Sequence, residues 1–230
     1  MAVVRTIRCT VLNVVDHGER VYSVTLEPSA PIPRFLPGQF LHLALDPYEP
    51  GSFWPESRVF SIASSPDEHD RLHITFAVKG AYTTRMEREL SPGSTVWVKL
   101  PYGEFVVDRT RDAVLFAGGT GVTAFTAFLQ SLPREHPRRV DLFYGARTDD
   151  LFVHGDLVEA CARNVPSLRC SLVCEAIRGR LDVGIAWPSI QTLREPLFYL
   201  SGPPLMIAAL GQQLRAHGVS AKYIRIDAWD

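Results

Sequence analysis

The chain has 230 residues, 46% of them hydrophobic and 21% charged, a balance that suits ordinary globular folding and excludes a disordered or fibrous polypeptide. Its 24 Lys+Arg and 25 Asp+Glu leave a formal charge of −1 without a long run of either sign, which argues against a nucleic-acid footprint. Apolar runs such as Ala113–Ala117 fall far short of the roughly 20 residues a membrane-spanning helix needs, and Met1-Ala2-Val3-Val4-Arg5 lacks the pattern of a secretory signal, so a cytoplasmic location is expected.

From Arg5 to about Asp108, short β-rich runs alternate with turn residues, the grammar of an antiparallel barrel or sandwich. Strands are predicted at Thr6–Val14, Tyr22–Glu27, Gln39–Leu45, Arg58–Ile62, Leu72–Val78 and Thr95–Leu100. One helix is predicted, Thr84–Leu90, stopped by Ser91-Pro92-Gly93 because proline removes a donor and glycine frees the turn. Past Arg111, apolar strands alternate with helix-length segments, as in a parallel α/β sheet. Strands are expected at Ala113–Ala117, Val140–Tyr144, Leu168–Cys174, Phe198–Leu200 and Tyr223–Ile226. Helices are expected near Thr123–Ser131, Asp150–Asn164 and Pro204–His217. The expected architecture is thus a six-stranded antiparallel β-barrel, residues 1–109, followed by a Rossmann-like five-stranded parallel α/β domain, residues 110–230.

Four motifs carry chemistry. On the fourth strand, Arg58-Val59-Phe60-Ser61 alternates so that Arg58 and Phe60 share one face and Val59 and Ser61 the other. A guanidinium grips phosphate, an aromatic ring covers a flavin face and a hydroxyl bonds a ring nitrogen; the plain alternative is a strand with one exposed Arg and one half-buried Phe. Further on, Lys79-Gly80-Ala81-Tyr82-Thr83-Thr84 is a glycine turn entering a helix, whose free N–H groups suit a pyrophosphate; for Thr83 or Thr84 alone, a simple N-cap is the alternative. Next, Gly118-Gly119-Thr120-Gly121-Val122-Thr123 follows the first apolar strand and opens a helix, where open parallel sheets bind ligands, although its spacing is not that of ordinary dehydrogenases. Finally, Ser201-Gly202-Pro203-Pro204-Leu205-Met206 repeats that placement after the fourth strand of the second half. A tight strand–helix turn is the alternative for each loop. The seven histidines form no close ligand pair, and Cys9, Cys161, Cys170 and Cys174 are too scattered for zinc or an iron–sulfur cluster, so no metal is expected and buried thiols are.

These residues resemble the ferredoxin–NADP reductase superfamily, whose flavin domain carries Arg-x-Tyr/Phe-Ser and Gly-x-x-Ser/Thr segments. Pro101-Tyr102-Gly103-Glu104-Phe105 is similar to its Gly-Pro-x-Gly-x-Phe, with Leu100 in place of the first Gly. The two later loops resemble its Gly-Gly-x-Gly-x-x-Pro and Cys-Gly-Pro-Pro-x-Met, with Ala124 and Ser201 at the Pro and Cys positions. By the resemblance, Arg58 holds a flavin phosphate, Phe60 lies along the isoalloxazine, Ser61 bonds near N5 and Ser201 stands beside the nicotinamide. Tyr144-Gly145-Ala146-Arg147 is similar to a strand end near the adenosine half. Glu175, where members that use a 2′-phosphate often place Ser-Arg, favours NADH over NADPH, against a phosphate grip by Arg147, Arg178 and Arg180. Ile226-Asp227-Ala228-Trp229-Asp230 resembles the Asp-Ala-Phe ending of bacterial flavin reductases, so Trp229 shields the flavin or simply plugs the chain end.

The resemblance implies a monomeric flavoprotein that takes hydride from NADH or NADPH onto FAD, preferred over FMN because the Gly80–Thr84 turn offers a second phosphate site. With no iron–sulfur domain of its own in this sequence, it would pass electrons to a separate ferredoxin, haem protein or free flavin. A non-catalytic flavin-binding subunit of a larger redox complex is the alternative. The aromatic loop Tyr48–Pro55 would dock a partner, cover the flavin's adenine or pack as an ordinary loop.

Overall fold

The computed structural model describes residues 3–227, and the chain divides into two compact units, Met1–Glu104 and Phe105–Asp230. In the first, the described residues form strands β1 (Arg5–Asp16), β2 (Val21–Pro28), β3 (Phe40–Ala44), β4 (Ser57–Ser61), β5 (Leu72–Ala77) and β6 (Thr95–Tyr102). They lie in the order β4-β3-β6-β1-β2-β5 with antiparallel pairing, and the end strands β4 and β5 come together to make a nearly closed barrel. Alternation drives this. Ile7 and Cys9 of β1 sit opposite Val98 and Val96 of β6, and all four are buried, so an inward apolar row forms on each strand of the pair.

Helix α1 (Ala81–Glu89) starts three residues before the expected Thr84. Tyr82, Met86 and Leu90 recur every fourth residue and are buried, so one apolar stripe docks the helix on the barrel. Thr83 is the third helical residue, with Gly80 as the N-cap. Its hydroxyl accepts from the Lys79 and Gly80 N–H groups at 2.9 and 3.1 Å, so Thr83 reaches back over the cap position and neither threonine is the N-cap itself.

The second unit contains β7 (Ala113–Gly118), α2 (Thr123–Gln130), β8 (Val140–Ala146), α3 (Gly155–Asn164), β9 (Leu168–Cys174), α4 (Glu175–Arg178), α5 (Val183–Ile190), β10 (Leu197–Ser201), α6 (Pro204–Ala216) and β11 (Ile224–Ile226). The sheet is parallel, in the order β11-β10-β7-β8-β9. Every residue of β7 is buried, as a central strand covered on both faces requires. Leu115 and Ala117 join Phe125, Phe128 and Val158 in one cluster, while Val114 and Phe116 join Val183, Leu210 and Leu214 in another.

Helices α4 and α5 were not expected from the sequence. Pro188 lies inside α5 and hides it from a propensity reading, yet the cap was visible: Asp182 accepts from the Ile185 N–H at 2.9 Å. Helix α3 begins at Gly155, with a 3₁₀ turn at Asp149–Leu151 where its first turns were expected. The chain runs outward from β7 through β8 and β9, then returns to β10 on the other side of β7. A topological switch point results at the C-terminal ends of β7 and β10. No helix among the described residues is long and apolar enough to cross a membrane.

Candidate functional site

In the barrel unit, Arg58 and Tyr82 come together: the guanidinium carbon lies 4.8 Å from the centre of the Tyr82 ring. The Tyr82 hydroxyl is bound into the barrel, within hydrogen-bond distance of Leu43 O (2.8 Å) and Glu56 O (3.2 Å) and accepting from Leu45 N–H at 3.1 Å. Burial pushes its phenol up to about 12, so it stays neutral at any ordinary pH. Arg58 donates to Ser57 O at 2.8 Å and to the Glu56 carboxylate at 3.0 Å. Glu56 is the neighbour that the sequence reading passed over, although it precedes the motif by only two residues.

Phe60 is half-buried with its ring 6.2 Å from that of Phe76, Ser61 is buried, and Val59 lies opposite His42 in the β3–β4 register. Lys79 and Thr84 are exposed beside the start of α1. Gly103 is dictated by Phe40: a Cβ there would sit 2.6 Å from the ring, and the backbone is left-handed at φ +92°. Phe40 in turn stacks on Tyr102 at 5.9 Å. A guanidinium, an aromatic ring and the start of a helix therefore share one surface of the barrel, a donor set that suits a phosphate-bearing aromatic cofactor.

In the second unit, the loops after β7 and β10 meet. A Cβ on Gly121 would lie 2.5 Å from Ser201 O and 2.6 Å from Gly202 N, and one on Gly118 would meet the Met206 sulfur at 2.4 Å and Pro203 at 3.0 Å. At Gly121, where the neighbours are backbone, only glycine permits this approach, and both predicted loops meet at the switch point. Gly119 adopts φ +53° in the 3₁₀ turn Gly119–Val122, and the Thr123 hydroxyl donates to Thr120 O at 2.8 Å, tying the turn to the start of α2. Ser201, 1% exposed, donates its hydroxyl to the carboxylate of Asp227 at 2.8 Å, and Asp227 N–H bonds Leu200 O at 2.9 Å. Two residues nominated from separate motifs are thereby joined at the strand ends. Trp229 lies outside the described residues.

Arg147 and Glu175 follow Ala146 and Cys174, which are paired at the ends of β8 and β9. Glu175 accepts from Arg180 Nε at 2.9 Å, so one arginine of the alternative phosphate grip is already engaged by the carboxylate. The four cysteines are free: Cys9 and Cys174 are buried, whereas Cys161 and Cys170 are only half-buried. Burial pushes the Cys9 and Cys170 thiols up to about 12, which keeps them protonated and poorly nucleophilic.

Residues 115–212 match the family described as "Oxidoreductase NAD-binding domain". Among curated proteins, the phenol hydroxylase P5 protein of Acinetobacter pittii is 30% identical over 218 residues, covering 89% of this chain and 60% of that protein. The toluate 1,2-dioxygenase electron transfer component of Pseudomonas putida is 30% identical, covering 80% and 56%. The chain thus spans less than two thirds of the length of these relatives. Among solved structures, an Amycolatopsis cytochrome P450 reductase superposes with a TM-score of 0.83 at 26% identity, over 99% of this chain and 70% of that one. The flavohem-like FAD/NAD binding domain of a Vibrio cholerae nitric oxide dioxygenase shares the fold over 97% and 98%, with a TM-score of 0.80 at 20% identity. Motif order, the NAD-binding match and the barrel followed by a parallel sheet are together those of the ferredoxin–NADP reductase superfamily.

Proposed function

We propose that the chain is an NAD(P)H-dependent flavoprotein reductase, with FAD assigned to the barrel unit and the nicotinamide dinucleotide to the parallel unit. The observation that carries this reading is the contact of the Gly118–Thr123 and Ser201–Met206 loops at the switch point, where a dinucleotide can approach the backbone closely. When bound, FAD supplies a ring that accepts hydride from the reduced nicotinamide and releases electrons onward. The protein's own part is alignment: Arg58 grips a flavin phosphate with Lys79, Tyr82, Thr83 and Thr84 around it, Phe60 and Val59 flank the ring, and Ser61 bonds it. On the other unit, Gly118, Gly119, Thr120, Gly121, Val122, Thr123, Gly202, Pro203 and Met206 receive the dinucleotide. Ser201, its hydroxyl hydrogen committed to Asp227, offers oxygen lone pairs beside the nicotinamide, and no acid–base dyad is required for direct hydride transfer.

Glu175 favours NADH, because a carboxylate pairs with a free ribose 2′-OH and repels a 2′-phosphate. The acceptor is proposed to be a separate protein such as a ferredoxin, as the electron transfer and reductase components among the relatives suggest. A monomer in the cytoplasm is proposed with it, in keeping with four free thiols. Mixing purified, flavin-loaded protein anaerobically with NADH and then NADPH tests the reading: flavin absorbance bleaches rapidly with NADH, and flavin left oxidised by both nucleotides refutes it. A second reading, a flavin-binding subunit that receives electrons from a neighbour, is favoured by one relative. The probable dihydroorotate dehydrogenase B electron transfer subunit of Methanopyrus kandleri is 31% identical over 157 residues. That reading predicts bound flavin that neither nucleotide reduces.

A further inference from the structure

We propose that Glu56 is a flavin-selectivity residue: its carboxylate sits in the anion seat of Arg58 and weights the site toward flavins whose phosphates carry a single charge each. The proposal rests on the assignment of Arg58 to a flavin phosphate. Glu56 Oε1 lies 3.0 Å from Arg58 Nη2, and Nη1 donates to Ser57 O at 2.8 Å, so two of the five guanidinium N–H donors are engaged. The Glu56 backbone lies beside the same ring: its carbonyl is 3.2 Å from the hydroxyl of Tyr82, whose ring underlies the guanidinium. Both charged side chains are about half exposed or more, 49% for Arg58 and 62% for Glu56, so an incoming phosphate can reach the guanidinium and the carboxylate can swing aside.

The surrounding charges sharpen the effect. The nearby arginine of α1, Arg85, is consumed by Asp46, with arms at 2.8 and 2.5 Å, and by Glu89 at 2.9 Å. Around Tyr82, Arg58 and Arg85 therefore face Asp46, Glu56 and Glu89, with exposed Lys79 at the turn before the helix. A phosphate must enter without a spare guanidinium and beside a carboxylate that it displaces. The terminal phosphate of FMN is a monoester carrying about −1.5 to −2 at neutral pH, whereas each phosphate of FAD's pyrophosphate carries one charge. Repulsion from Glu56 is thus greatest for FMN, smaller for FAD and absent for riboflavin.

Fluorescence titration of the flavin-free full chain with FAD, FMN and riboflavin tests the idea in wild type, Glu56→Gln and Arg58→Ala. Glu56→Gln is expected to tighten FMN about fivefold and FAD about twofold, the size of an exposed ion pair, with riboflavin unchanged. The gain fades in about 1 M salt, where the screening length is a few ångströms. Equal changes for all three flavins, or none, overturn the proposal. Failure of the underlying assignment reads differently: Arg58→Ala would then leave FAD and FMN affinities intact. If Arg58→Ala weakens both while Glu56→Gln alters neither, the assignment stands and the role of Glu56 falls.

Discussion

On the proposed function, the two units solve the same problem, receiving a nucleotide-like cofactor, by opposite means. In the parallel unit the candidate site is made of backbone: Gly121 lets two loops touch at a distance no side chain would allow, and Gly202, at φ +149°, lies close to the Gly118 backbone. In the barrel unit the candidate site is made of side chains, and three of them already have local partners: Arg58 has Glu56, Thr83 has the Lys79 and Gly80 N–H groups, and Tyr82 has Leu43, Leu45 and Glu56. A backbone-built site is preformed and intolerant of added atoms. A site of side chains exchanges partners when its ligand arrives, so its affinity depends on what must be displaced.

The largest effect is expected where backbone meets backbone. Gly121→Ala should cost about 3 kcal/mol, at the upper end of overpacking, because Ser201 O and Gly202 N cannot yield as a flexible side chain would. Urea denaturation measures the loss, and dinucleotide binding should fail with it. Gly119→Ala sharpens the contrast. Nothing lies within 4 Å of that added Cβ, so the cost is only the left-handed backbone, about 1–2 kcal/mol. Equal losses at the two positions would break the distinction.

Next in size, Ser201→Ala removes a donor from the buried Asp227 carboxylate and should destabilise by about 2 kcal/mol, slowing flavin reduction in stopped flow as well. Arg58→Ala is expected to lower flavin affinity about tenfold or more while leaving the unfolding midpoint almost unchanged, since its ion pair with Glu56 is exposed. A shifted midpoint with intact flavin binding would reverse the assignment of Arg58 from ligand contact to structural tie. Thr83→Ala should cost about 1 kcal/mol through the lost reach-back to the Lys79 and Gly80 N–H groups.

The smallest effect is acid sensitivity of α1. Hydrogen bonds from Arg85 to Asp46, from Arg20 to Glu87, and from Arg88 and Arg85 to Glu89 hold these carboxyls below the usual range. A depressed carboxyl pKa contributes stability above the unfolded value, near pH 4, and that contribution is lost as pH falls through the folded value. Protection of α1 amides against hydrogen exchange should therefore decline below about pH 4 before that of β7, whose residues are wholly buried.

The two kinds of site also differ in how readily the sequence reveals them. The glycine loops stand out as glycine clusters that each follow a strand, and the structure adds that Gly118–Gly121 lies against Ser201–Gly202. Strand placement follows from alternation and from the apolar run of β7, whereas strand order is set by the tertiary fold. What stayed hidden was set by tertiary context. Pro188 lies inside a helix that burial of Val183, Ala186 and Ile190 nonetheless sustains, and Thr83 acts on the start of α1 from its third helical position instead of as the N-cap. Glu56 carried no motif at all. Its importance comes from the carbonyl that Tyr82 contacts and the guanidinium it meets, neither visible in one dimension.

The abutting glycines make the two loops of the parallel unit a single heritable module. A chimaera that takes the segment after β7 from one homologue and the segment after β10 from another joins surfaces that were never shaped to each other. Transplanting both together is the graft expected to stay folded.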